Sequence, residues 1–193
     1  MSVKQDFLDI YKAAVTRPGA DGLLDWLLST DFFIAPASTR YHCACDAGLV
    51  THSLNVYHLL QKHAAEFGGY TEETVAVCGL LHDVCKANFY SIGLRNVKNE
   101  HGQWEQKPYY TIEDQFPMGH GEKSVYLINK YMTLSDEEAM AIRWHMGGFD
   151  ESAKAGGYTI SHAYEQYPLA VLLHISDLEA TYLSEKGTSE VRI

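Results

Sequence analysis

Inside the apolar stretch Gly79-Leu-Leu-His-Asp-Val-Cys-Lys86, a histidine and an aspartate, His82 and Asp83, stand side by side. A second apolar run, Leu169 to Leu173, leads into Asp177. An ionised carboxylate without a partner is strongly disfavoured in a core, and two brought together force one to protonate unless a cation compensates them. No lysine or arginine lies within either run, and Lys86 stands only at the edge of the first. Histidine is the compensating residue type on hand: His82 adjoins Asp83, and His52 lies on the apolar flank of Gly48-Leu-Val-Thr-His-Ser-Leu54. Two imidazole nitrogens and two carboxylate oxygens suit a first-row divalent ion of borderline hardness. Ligand type leaves manganese, iron, cobalt, nickel and magnesium open.

The elements that must position these groups read as helices. Phe7, Ile10, Tyr11 and Ala14 recur on one face of residues 3–16, before Pro18-Gly19. Asp21 is placed to cap a short second helix, and Pro36 and Ser38 mark a loop. A long helix is expected from Asp46 to Phe67, stopped by Gly68-Gly69. Thr71 is placed to cap a buried helix running through Cys85. Residues 91–111 change character, with Ile92, Leu94, Val97 and Trp104 flanking Asn99-Glu-His-Gly102, which predicts a β-hairpin. Helices are expected again over 120–132 and 135–146, the latter with Ser135 and Glu138 at capping-box spacing. A Gly-rich loop then leads to a last apolar helix over 166–184. With no repeat, low-complexity tract or linker, the 193 residues are expected to form one domain.

The ordered set His52, His82-Asp83, Asp177 resembles the HD-domain superfamily of metal-dependent phosphohydrolases, over roughly residues 36–184. The resemblance implies an all-α helical bundle, here with a small β-hairpin insert. It also implies that His52, His82, Asp83 and Asp177 bind a divalent metal and that Lys86, in the pattern His-Asp-x-x-Lys, contacts phosphate on the helix face of His82. His120 and His145 look like the additional ligands of two-metal subfamilies, in which the paired Asp, here Asp83, bridges both ions. The nearest likeness is to the HD part of bacterial 3′-to-5′ exoribonucleases, through Pro36-Ala37, His42, Gly48-Leu49, His52 and Leu172-Leu-His-Ile-Ser-Asp177. The OB domain of those enzymes has no counterpart in these residues, and Cys85 stands where many members have glycine, a change expected to affect packing more than chemistry. The implied reaction is hydrolysis of a phosphomonoester or phosphodiester, of a nucleotide or short oligonucleotide, by water activated between ions about 3.5–4 Å apart. Asp83 and Lys86 would be its catalytic residues. A two-iron oxygenase or a non-catalytic, metal-stabilised nucleotide-binding module would use the same ligands.

Arg40 and His42, in the lead-in loop, are candidate phosphate contacts. His174, one turn before Asp177, either orients that ligand, meets substrate, or is a satisfied core histidine. His58, His63, His101 and His162 are expected at the surface, and Cys43-Ala-Cys45 lacks the partner cluster of a zinc site. Gly119-His-Gly-Glu-Lys-Ser124 is no P-loop, because lysine does not directly follow glycine. Trp104, Tyr109, Tyr110, Phe149 and Tyr158 either stack on a base or pack the insert and loop. The net charge of −10 disfavours a long grip on nucleic-acid backbone and leaves a small phosphorylated substrate, expected to be a nucleotide. No apolar run is long enough to span a bilayer, and the acidic N-terminal stretch lacks a signal-like core, so a cytoplasmic protein is expected.

Overall fold

The computed structural model describes residues 2–185. The fold is mostly helical, with one two-stranded antiparallel hairpin. α1 (Val3–Ala14) and α2 (Ala20–Ser29) lead to a loop and then to α3 (Gly48–Phe67), which packs against α1, α4 (Glu72–Leu81) and α9 (Pro168–Glu179). Every residue of α4 from Val75 to Leu81 is buried. Its close approach to α3 depends on Gly79, because a Cβ there would come within 2.5 Å of the Tyr57 Cα. That contact carries His82, one turn further on, to the face of α3 that presents His52.

α5 (His120–Asn129) and α6 (Asp136–Trp144) form the other side of the bundle, with α6 packed on α9. The Ser135–Glu138 capping box is present, as is the Thr71 cap on Thr74 N–H. The hairpin pairs β1 (Tyr90–Lys98) with β2 (Trp104–Ile112), with Ile92 opposite Tyr110 and the reversal at 99–103. Tyr110 is buried and its hydroxyl donates to Asp46, so this aromatic packs the insert. Trp104, Phe149 and Tyr158 are exposed. Among the described residues, no helix is long and apolar enough to cross a membrane.

Three local expectations are corrected. α2 is capped by Gly19 rather than Asp21: the chain passes so close to the Tyr131 carbonyl, at φ +92°, that any side chain would collide, and Asp21 falls in the first turn. The segment after Gly147-Gly148 is not a plain loop. Asp150 accepts from Ser152 and Ala153 N–H to cap α7 (Glu151–Lys154), and α8 (Thr159–Gln166) follows. α4 also stops short of Cys85; the backbone turns at Asp83 into a 3-10 turn, Val84–Lys86. Lys86 therefore does not follow His82 along one helix face.

Arg17 makes a bidentate pair with Glu138, at 2.6 and 2.7 Å, tying the α1–α2 connection to the start of α6. The Glu138 side chain is 1% exposed. Removing one partner of a buried pair leaves a charge in the core, so Arg17→Met should cost about 3 kcal/mol or more and lower the melting temperature by roughly 6–12 °C. Burial raises the Glu138 pKa, but bonds from Arg17 and the Ser135 N–H overcome that and hold it below its ordinary 4.5. The stabilisation is thus present above about pH 4.5 and lost as pH falls through the lower folded value. Acid unfolding of wild type and Arg17→Met, followed by circular dichroism, should show the two curves converging at low pH.

Candidate metal centre

Three helices and two turns converge on Asp83, which is 2% exposed. Its two oxygens face different partners. Oδ2 lies 2.6 Å from Lys86 Nζ, 3.6 Å from His82 Nε2 and 3.7 Å from His52 Nε2. Oδ1 lies 2.7 Å from His120 Nε2 and 3.5 Å from His145 Nε2. Asp177, from α9, reaches His52 Nε2 at 3.1 Å, and His52 Nε2 is 3.3 Å from His82 Nε2. All six residues expected to be ligands are brought together.

The outward nitrogens of the histidines fix which nitrogen faces the cluster. His82 Nδ1–H donates to the Gly79 carbonyl at 2.9 Å, and His145 Nδ1–H to the Ile142 carbonyl at 2.7 Å, so in each neutral ring the Nε2 lone pair points inward. His52 Nδ1–H donates to both Glu185 oxygens at 3.1 Å, and Asn55 binds the same carboxylate. A carboxylate on the far nitrogen orients an imidazole and raises its basicity as a ligand. His174 Nδ1–H donates to the His145 carbonyl at 2.6 Å. Its ring lies under Gly147, where φ is +54° and a side chain would collide with it. His174 thus braces the turn that carries His145. Lys86 reaches Asp83 from the 3-10 turn, three residues on.

Burial and charge act against each other at these groups. Burial lowers the His52 pKa, but the bonds and charges of Asp177 and Glu185 more than reverse this and raise it to about 9. At His120 burial is again outweighed, here by Cys85 and Asp83, and the pKa rises to about 10. His82 is dominated by burial and falls to about 3, which keeps it neutral. Burial alone would raise Asp83 and Asp177. Lys86 and His120 hold Asp83 well below the carboxylate range, and the bond and charge of His52 hold Asp177 down.

The donor set passes a test of fit to a divalent cation. Among the described residues four groups can share an ion: His52-His82-Asp177, His82-Asp83-His145, Asp83-Cys85-His120 and, on the far side of His52, His42-His52-Glu185. His145 Nε2 is buried and has no hydrogen-bond partner among the described residues, an orphaned lone pair that an ion would satisfy.

A model of the HD domain matches residues 49–181. The chain belongs to the HD-domain family. Comparisons with curated proteins and with solved structures return no match. HD domains are generally metal-dependent phosphohydrolases, and in this HD domain the buried His/Asp cluster is able to hold a metal.

Sequence reasoning missed Glu185, Asn55 and the position of Cys85. Glu185 lies beyond the last apolar run and reaches His52 through a π-helical turn, Ala180–Ser184, that no residue pattern announces. Cys85 Sγ lies 3.5 Å from His120 Nδ1. Of the candidate phosphate contacts, His42 lies beside His52, with ring centroids 4.8 Å apart and the rings tilted by 46°, and Arg40 is exposed on the same loop. His63, expected at the surface, pairs with Glu179 at 2.9 Å and joins α3 to α9.

Proposed function

We propose that this protein is a two-metal phosphohydrolase acting on a nucleotide or short oligonucleotide. The observation that carries the reading is the division of Asp83, with Oδ2 toward His52, His82 and Lys86 and Oδ1 toward His120 and His145. A buried carboxylate with one oxygen in each of two histidine groups has the form of a bridging ligand. His52, His82, Asp83 and Asp177 would hold one ion, and Asp83, His120 and His145 the other. Bound there, divalent ions supply a nucleophile from water at neutral pH and neutralise charge on the phosphoryl oxygens.

The remaining roles belong to the chain. Lys86, kept cationic by Asp83 although burial opposes it, sets a positive charge at the rim of the cluster to offset charge on the transferring group. His42 is neutral, its pKa pushed down to about 4 first by burial and then by His52 and Lys86. Its buried Nε2 has no partner among the described residues and is placed to hydrogen-bond a phosphoryl oxygen or a water. No nucleophilic side chain is needed.

Preference for a nucleotide is supported by a groove of about 600 Å³ between the lead-in loop and the hairpin. Arg40 and Tyr41 line one wall, and Arg95, Tyr109 and Thr111 the other. The guanidiniums suit a phosphate, and the tyrosine faces suit a base. In a chain of net charge −10 this two-arginine groove is a local positive site for an anion.

The test is a turnover screen of metal-loaded protein against nucleotides, cyclic and linear dinucleotides and short RNA. Release of phosphate or of a mononucleotide is expected. Oxygen uptake on an organic substrate without phosphate release would favour an oxygenase instead. With a nucleotide substrate, Arg95→Ala should raise KM roughly tenfold and leave kcat nearly unchanged, since the groove would supply binding rather than chemistry. Steady-state kinetics on both proteins decides this.

A further inference from the structure

Cys85 is 3% exposed and sits at an edge of the cluster, with its sulfur against the His120 ring. Its Sγ is 3.5 Å from His120 Nδ1 and 3.8 Å from His120 Nε2, and His120 Nε2 is 2.7 Å from Asp83 Oδ1. The Cys85 amide donates to Ser124 Oγ at 3.2 Å, which pins the turn to α5 just behind His120. For a sulfur and a nitrogen on one tetrahedral ion, standard bond lengths give a separation of about 3.6 Å, close to both values. A second observation is independent of the cysteine. His145 Nε2, buried and without a hydrogen-bond partner among the described residues, stands 3.5 Å from the same Oδ1. Asp83, Cys85 and His120 thus form one group able to share an ion, and the inward-facing His145 Nε2 borders the same Asp83 oxygen.

We propose that Cys85 is a ligand of the ion on the Oδ1 side, alongside Asp83 and His120. This rests on reading the cluster as a metal centre. A thiolate makes the Oδ1 position softer than the all-nitrogen-and-oxygen position on the Oδ2 side, so the two positions differ in metal preference. The Oδ1 side favours zinc, cobalt(II) or iron(II) over manganese and magnesium. Ligation breaks the S–H bond: the thiolate keeps the electron pair for the metal, and the proton leaves to solvent.

The test is an anaerobic titration of metal-stripped protein with cobalt(II), read by absorption. The expected result is a set of visible ligand-field bands together with a near-ultraviolet thiolate-to-cobalt charge-transfer band. In Cys85→Ala the ligand-field bands of histidine- and carboxylate-bound cobalt remain and the charge-transfer band is lost. Zinc affinity at one position should fall roughly 10- to 100-fold in that variant, while manganese affinity changes far less. Cys85→Ser, with circular dichroism matched to wild type, guards against an effect of misfolding. Ligand-field bands without a charge-transfer band in wild type, or a charge-transfer band that survives in Cys85→Ala, would overturn the assignment of Cys85 and leave the metal centre standing. No visible bands in wild type would overturn the metal centre and this proposal with it.

Discussion

Asp83→Ala is expected to abolish bound metal and phosphoester turnover together. Among the described residues, Asp83 alone has two oxygens that each face histidines on a separate side of the cluster, so its removal withdraws a ligand from both positions at once. Loss of one donor that acts on developing charge costs about 10²–10³ in rate, and loss of the ions themselves costs more, so turnover should drop below detection. The substitution also strands Lys86, whose ammonium is 2.6 Å from Asp83 and largely buried, at a cost of about 3–5 kcal/mol. Lys86→Met separates the two effects. It leaves the ligand set whole, so metal content should persist while kcat falls about 10²-fold. Elemental analysis and kinetics on the same preparations check both. Asp83→Ala that keeps metal and turnover would refute the bridging role.

Metal affinity should rise steeply with pH across the neutral range. A metal ligand must be a neutral imidazole, yet His52 and His120 have pKa values raised to about 9 and about 10, so at pH 7 both carry a proton that the ion must displace. Each displaced proton lowers apparent affinity about tenfold per pH unit below the group's pKa, and the dependence flattens only above about pH 9–10. Both folded-state values lie above the ordinary 6.5, so the charged pairs stabilise metal-stripped protein fully below about pH 6.5, and that contribution is lost as pH rises through 9 and 10. Alkaline pH thus weakens metal-stripped protein while strengthening its grip on added metal. Calorimetric titration in buffers of different protonation enthalpy should show at least two protons released at pH 7 when both positions fill. An affinity that does not change between about pH 6 and 9 would contradict the protonated ground state.

Much of this centre could be read from residue types, because burial forced the question. Asp83 and Asp177 sit in runs too apolar to tolerate charge, and apart from Lys86 at the edge of the first run the residue type on hand to compensate them is histidine. The caps at Thr71 and Ser135 were equally legible, since a side-chain oxygen ahead of an apolar run serves few other purposes. What escaped depends on how a helix ends. The 3-10 turn at Asp83 redirects Lys86, and the π-helical turn after α9 delivers Glu185 to His52. Neither turn has a residue signature, because both arise from packing between distant helices. The sequence points to Asp21 rather than Gly19 because the reason for a glycine there, the Tyr131 carbonyl, is more than a hundred residues away in sequence. Cys85 looked like a packing change until His120 arrived beside it from α5.

The most direct test of the central claim is anomalous diffraction from crystals grown with manganese or cobalt. One peak is expected about 2.0–2.3 Å from donor atoms of His52, His82, Asp83 and Asp177, and a second against Asp83, His120 and His145. Crystals saturated with metal that show no anomalous peak at Asp83, with its oxygens still paired only to Lys86 and His120, would contradict it.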